Sequence, residues 1–168
     1  MSLGHVSNVR NSLLDREWAQ LADEGMYLAA PDALLDAWRE AYEAPLGQRQ
    51  TFYTTLHGAA FDAALRDRRP EREAQIALAS FSAAQRLAPF GRTGTHYFYA
   101  NAEGVETLRS SLKLSSASKG ENIVVTVLDD PGLLRDTVQP ASGVICTSPA
   151  QTYLDLSAAG ERGLDAAR

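Results

Sequence analysis

Strand-like and helix-like segments alternate along most of the chain, from residue 50 to residue 160. Five segments rich in β-branched and aromatic residues are predicted strands: 51–57, 75–79, 95–100, 122–128 and 143–147. Stretches with apolar residues at helical spacing lie between them. This alternation is typical of a layered α/β domain. We therefore predict a mixed sheet of about five strands flanked by helices, with an α+β arrangement as the alternative.

The strongest strand signal is NIVVTVL, at 122–128, and it is apolar on both faces. A turn sequence, Asp129-Asp130-Pro131-Gly132, follows it. Because ligands of open α/β sheets bind where strands end, Asp129 and Asp130 are candidates for holding Mg²⁺ with a substrate phosphate. Neither a third carboxylate nor a lysine stands at a spacing that would complete such a site. A solvated turn is the preferred interpretation.

Two helices are predicted before the alternating region. The first spans residues 4–19, and its apolar side, Val6, Val9 and Leu13, should pack on the second. The second begins at Pro31, carries an apolar stripe from Leu34 to Tyr42, and ends before Pro45 and Gly47. A short extended piece at 26–28 separates the two helices. We place the domain boundary after residue 44, giving units 1–44 and 45–168.

Composition excludes several classes of protein. The chain has a formal net charge of −5, so it is not a bulk electrostatic binder of nucleic acid. It has no apolar run long enough to cross a bilayer, so no membrane association is expected. A single cysteine, Cys146, excludes an internal disulfide and is predicted to be a small buried hydrophobe. These features favour a cytoplasmic protein.

Signals for catalysis are weak. The three histidines, His5, His57 and His96, have neither a cysteine nor paired carboxylates beside them. The sequence contains no GxSxG motif, no GxGxxG motif and no glycine-rich phosphate loop. We therefore predict a non-enzymatic protein with no cofactor and no metal.

Two capping boxes are predicted. Ser148 should cap a helix that has Pro149 at its first position and Gln151 at its third. Ser82 and Gln85 have the same spacing before another apolar run, which should end at Pro89.

The helix after Ser148 has one side suited to a core. Tyr153 and Leu156 should be buried on the sheet, while Asp155 should be exposed or paired and free to meet Arg162 across the bend at Gly160. A well-packed terminal helix explains this pattern without any chemistry.

This C-terminal run also resembles a known bacterial family. SPAQTYLDL followed by GERGLDAA, at 148–167, is similar to the C-terminal signature of AbiEi-like antitoxins and of related transcriptional regulators. Weaker similarity to the same family lies in four further blocks: 4–14 (GHVSNVRNSLL), 23–31 (DEGMYLAAP), 31–42 (PDALLDAWREAY) and 77–90 (ALASFSAAQRLAPF). The signature residues are Ser148, Pro149, Gln151, Tyr153, Asp155 and Gly163.

The resemblance implies a DNA-binding module that represses its own operon. Residues 1–44 would be a partial winged helix-turn-helix, with 4–14 in the recognition helix and 23–31 as the wing. The side chains offered to the major groove would be His5, Ser7, Asn8, Arg10 and Asn11. The first helices of a winged fold are absent from the sequence, and both ends look cut. Binding of DNA by this chain alone is therefore expected to be weak.

The resemblance also implies that residues 45–168 form an effector or partner-binding domain that opposes a nucleotidyltransferase-like toxin without catalysis of its own. DNA and a cognate toxin protein are thus the expected partners. Two alternatives stay open. One is an enzyme of nucleotide or phosphate-ester chemistry that uses Asp129 and Asp130. The other is a pure protein-interaction domain.

Overall fold

The computed structural model describes residues 2–68, 73–88 and 93–167. The chain forms two compact units, Met1–Tyr42 and Glu43–Arg168, called here the N-unit and the C-unit. Within the described residues, the longest helices are too short and too polar to cross a membrane.

The N-unit contains two helices and one hairpin. Its elements are α1 (Leu3–Asp15), β1 (Ala19–Ala22), β2 (Gly25–Leu28) and α2 (Pro31–Glu40). The first helix ends four residues earlier than predicted, because Arg16 leaves helical geometry and Glu17 adopts a positive φ of 58°. The chain then forms β1, which the sequence analysis missed, and β1 pairs antiparallel with β2. The prediction of α2, with Pro31 in its first turn, is confirmed.

The C-unit alternates between strands and helices. Its elements are β3 (Gly47–Tyr53), α3 (Gly58–Asp67), β4 (Ile76–Leu78), α4 (Ser80–Leu87), β5 (His96–Ala100), α5 (Ala102–Ser111), β6 (Ser115–Ser116), β7 (Ile123–Leu128), a 3₁₀ helix (Pro131–Arg135), β8 (Thr137–Ala141), β9 (Val144–Thr147), α6 (Pro149–Ser157) and α7 (Glu161–Ala166). The seven strands form one sheet in the order β6-β3-β7-β5-β4-β9-β8. The α/β prediction is confirmed, and the sheet has more strands than the five expected.

The sheet is mixed, as predicted. Neighbours β5 and β7 run parallel, as do β4 and β9, while the remaining pairs are antiparallel. The strongest predicted strand, β7, lies inside the sheet between β3 and β5.

The first strand of the sheet begins earlier than predicted, at Gly47 rather than at residue 51. The sequence pattern indicates only a helix stop at Gly47. In the structure, β3 runs so close to β7 that a Cβ at position 47 would collide with the carbonyl oxygen of Val127. The absence of a side chain at position 47 therefore allows β3 to pair closely with β7. Hydrophobicity does not indicate a strand here, because Gln48, Arg49 and Gln50 are polar.

Both faces of the sheet are covered. One face carries Phe52, Phe98 and Val125, which pack with Phe61 of α3 and Leu108 of α5 in the main core. On the other face, a smaller cluster joins Tyr99 and Leu128 to Leu134 of the 3₁₀ helix. The pleat explains this division, since successive side chains of a strand point to opposite faces.

Of the caps predicted for α4 and α5, one is wrong and the other is confirmed. Asn101 caps α5 as expected: its Oδ1 accepts the backbone N–H of Gly104 at 2.8 Å. The capping box at Ser82 is wrong, because α4 begins at Ser80 and Ser82 lies inside it. The buried Ser82 hydroxyl oxygen accepts the N–H of Tyr97 instead, at 2.8 Å. The predicted stop at Pro89 lies outside the described residues.

Candidate functional site

The candidate DNA-reading residues lie on α1. Ser2 caps this helix, and its Oγ accepts the N–H of His5 at 3.3 Å. We call the five candidate side chains the polar face of α1: His5, Ser7, Asn8, Arg10 and Asn11. All five are exposed. Successive helical residues are about 100° apart, so the four residues from Ser7 to Asn11 in this set share an arc of roughly 160°, and His5 lies roughly 60° beyond the edge of that arc.

The opposite side of α1 is less buried than predicted. Val6 is 48% exposed, Val9 is 47% exposed, and no residue of α1 is buried. The expectation that both valines face inward against α2 is therefore wrong. Leu13 is half-buried.

The hairpin that follows α1 has an acidic tip. Asp23 and Glu24 form its two-residue turn, between paired Ala22 and Gly25. Two carboxylates at this tip would repel a phosphate backbone. Along the hairpin, the Tyr27 hydroxyl donates to Gln20 Oε1 at 2.8 Å.

The family signature centres on α6. Ser148 caps it as predicted, with its Oγ accepting the N–H of Gln151 at 3.4 Å and with Pro149 in the first turn. The side chain of Gln151 extends toward Asp155, and its Nε2 donates to Asp155 Oδ1 at 2.9 Å. Gln151 therefore makes two contacts: its backbone N–H binds the cap residue Ser148, and its side chain binds Asp155.

Asp155 is the centre of a buried polar network. It is 8% exposed, and its Oδ1 also accepts the hydroxyl of Tyr99, from β5, at 2.9 Å. The carboxylate is paired, as one alternative of the prediction had it. The guanidinium of Arg162 lies over the ring of Phe81, 5.6 Å from its centroid.

Burial differs among the other residues of α6. Leu156 is 2% exposed, which confirms its place in the core. Tyr153 is partly buried, so it is less enclosed than Leu156. Thr152 is buried instead, and its hydroxyl lies 2.8 Å from that of Thr147 at the end of β9.

Gly163 has a packing role in the signature. It is buried in α7, and a Cβ there would collide with the carbonyl oxygen of Leu156. The glycine thereby allows α7 to approach the end of α6. The predicted helix near the C-terminus is α7, which begins at Glu161, and Arg168 lies outside the described residues.

Asp129 and Asp130 form an exposed turn. Asp130 caps the 3₁₀ helix, and its Oδ1 accepts the N–H of Gly132 at 2.8 Å. Within the part of the chain that the structure describes, no three acidic, histidine or cysteine side chains are grouped as metal ligands would be. The turn predicted at these residues is present.

A pocket of about 270 Å³ was not foreseen from the sequence. Asp62 and Arg66 of α3 and Arg86 of α4 contribute to its lining, and Arg86 forms an ion pair with Asp62. The two partners lie on different helices, so no local motif could indicate the pair.

Buried titratable groups lie within the field of that ion pair. Burial lowers the pKa of His96, and the positive charge of Arg86 lowers it further, against an opposing effect of Asp62. The His96 ring stacks on Phe61 with centroids 4.0 Å apart. Cys146 is fully buried, as predicted, and burial raises the pKa of its thiol to about 11.

Comparison with known proteins gives one family. A family model described as a transcriptional regulator, the AbiEi antitoxin of a type IV toxin–antitoxin system, matches residues 27–168. The match covers α2 and the whole C-unit, and it excludes α1. Neither the curated proteins nor the solved structures contain a match.

Proposed function

The chain belongs to the family of AbiEi antitoxins, transcriptional regulators of type IV toxin–antitoxin systems, and we propose that it regulates transcription by binding DNA through α1 and opposes a toxin through the C-unit. One observation carries the DNA half of this proposal. The polar face of α1 is exposed along its whole length.

The side chains of this face suit base recognition. Arginine can donate two hydrogen bonds to guanine, and asparagine can bind the edge of adenine in the same bidentate way. Arg10 and Asn11 are adjacent, and Arg10 Nη1 donates to Asn11 Oδ1 at 3.4 Å. That contact is long and exposed, so both side chains can turn to a major groove at little cost.

Electrostatics limits the expected affinity. In residues 1–20, Arg10 and Arg16 are balanced by Asp15 and Glu17. Contacts with phosphate supply most non-specific affinity, and few donors remain here to make them. We expect weak binding with a shallow dependence on salt, in which base contacts carry a large share of the free energy.

Fluorescence anisotropy with the promoter of the chain's own operon, at low salt, tests the DNA half. Arg10→Ala should lose roughly 1–3 kcal/mol of binding free energy if Arg10 reads a base. The matched control is Arg135→Ala, which removes the same charge from an exposed position of the 3₁₀ helix of the C-unit. Failure of the parent protein to prefer its promoter over scrambled DNA would refute this half, as would equal losses in the two variants.

Co-expression with the toxin of the same operon tests the other half. Expressed from an unrelated promoter, the parent chain should restore growth of cells that make the toxin. The double variant Arg10→Ala/Asn11→Ala should restore growth equally well, because α1 is not needed for antagonism in this proposal. Loss of rescue in the double variant would contradict the division of labour between the two units.

A further inference from the structure

The sheet of the C-unit has an incompletely covered edge at β3. The last strand on that side, β6, has two residues and pairs with β3 only at Phe52 and Tyr53. One further bond joins the N–H of Ala117 to the carbonyl oxygen of Thr51, at 3.2 Å. Among the described residues, no strand pairs with the outer side of residues 47–50.

The directions of the backbone hydrogen bonds show which N–H and C=O groups of β3 point to the outer side of the sheet. The carbonyl oxygens of Leu46 and Phe52 both accept N–H groups from the side of β7. The carbonyl oxygen of Thr51 points the other way, to Ala117. Because backbone groups alternate along a strand, the N–H and C=O of Gly47 and of Arg49 point outward. Both residues are exposed.

The opposite edge of the sheet is built differently. There β8 contains Pro140 and an irregular register between Val138 and Ala141. Proline and bulges are devices that prevent an edge from accepting another strand. The outer side of β3 has neither device at residues 47–50, so the outward N–H and C=O groups of Gly47 and Arg49 are open to an added strand.

Side chains beside this edge indicate what would bind. The guanidinium of Arg49 is exposed and forms no ion pair within the described part of the chain. Leu46, just before the strand, is 79% exposed. We propose that the outer edge of residues 47–50 binds an extended segment of a partner protein by strand addition, with an acidic residue of that segment opposite Arg49 and an apolar residue near Leu46.

A second copy of the chain fits this edge less well. Antiparallel self-pairing that uses all four open groups places Gly47 of each copy opposite Arg49 of the other. The two arginines then lie on one face as diagonal neighbours, about 7–8 Å apart. Their repulsion disfavours the dimer, whereas a carboxylate opposite Arg49 stabilises the added strand.

Designed peptides test the proposal without reference to DNA or toxin, so its outcome is independent of the proposed function. The probes are acetyl-Thr-Val-Glu-Val-Thr-amide and the same peptide with lysine at its centre, titrated to several millimolar and followed by the backbone amide resonances of the full chain. The glutamate peptide should shift the amides of Gly47 and Arg49 saturably. The amides of Gln48 and Gln50 face β7 and should shift less.

Charge reversal makes the test specific. The lysine peptide should bind at least about fivefold more weakly than the glutamate peptide, and R49E should reverse that order. The control R135E makes the same charge change on the 3₁₀ helix and should leave the order unchanged. Equal binding of both peptides, no saturable shift, or shifts centred elsewhere would overturn the proposal. So would a dimer of the parent chain that R49E converts to a monomer.

Discussion

The two units of this chain use their apolar residues in opposite ways. In the described part of the N-unit, Ala19 is the one buried residue. Several of its large apolar side chains stay substantially exposed, among them Leu21 at 58% and Trp38 at 49%. The C-unit instead buries large side chains on both faces of its sheet, including Phe61 and Phe98.

Because of this difference, substitutions in the two units report on different properties of the protein. Where side chains are exposed, truncation removes little buried area and changes the free energy of unfolding little. Where they are buried, truncation removes contacts and leaves a cavity. Substitutions on α1 are therefore clean tests of binding, whereas substitutions of buried residues in the C-unit chiefly test its stability.

The largest expected effect contrasts a buried leucine with an exposed one. Leu156→Ala in the C-unit should lower the free energy of unfolding by about 2–5 kcal/mol, because Leu156 is 2% exposed. Leu21→Ala in the N-unit should change it by less than about 0.5 kcal/mol. Urea unfolding followed by circular dichroism measures both. Equal shifts of the two midpoints would break the contrast between the units.

A smaller effect is expected from the buried carboxylate of the signature. Asp155→Ala removes the acceptor of the Tyr99 hydroxyl and of Gln151 Nε2. Loss of this acceptor for the buried Tyr99 hydroxyl should lower the free energy of unfolding by about 1–3 kcal/mol. The control is Asp23→Ala, which removes an exposed carboxylate from the hairpin of the N-unit. If Asp155→Ala proves as mild as Asp23→Ala in thermal unfolding, the network does not stabilise the C-unit.

The smallest expected effect is a dependence of the stability of the C-unit on pH. The pKa of His96 is lowered in the folded state, first by burial and then by Arg86. The unfolded chain therefore binds the proton more readily, and stability falls as pH drops below the usual histidine pKa of about 6.5. His96→Gln should flatten the loss of denaturant midpoint between pH 7.5 and pH 5. An identical slope in parent and variant would show that His96 is not its source.

Strong local patterns made most of the fold predictable. The apolar run of β7, the Pro31 start of α2 and the Asn101 cap of α5 each express a preference of neighbouring residues. The missed strands lack such preferences. β8 contains Gln139 and Pro140, and it forms because β9 is available beside it.

The candidate site was predictable to a smaller extent. Exposure of the polar face of α1 followed from helical spacing, and its contact with DNA stays a prediction. The partner of Asp155 could not be found in the same way, because Tyr99 lies on a strand distant in sequence. Long-range pairs such as Asp62 with Arg86 depend on how helices pack, which spacing along one helix does not encode.

The strand order has a consequence for synthesis on the ribosome. One neighbour of β3, β7, and one neighbour of β4, β9, are synthesised long after the strands with which they pair. Translation proceeds at roughly 5–20 residues per second, so the nascent chain spends seconds with β3 and β4 made and these two partners missing. The C-unit therefore completes its sheet only after β9 has been synthesised.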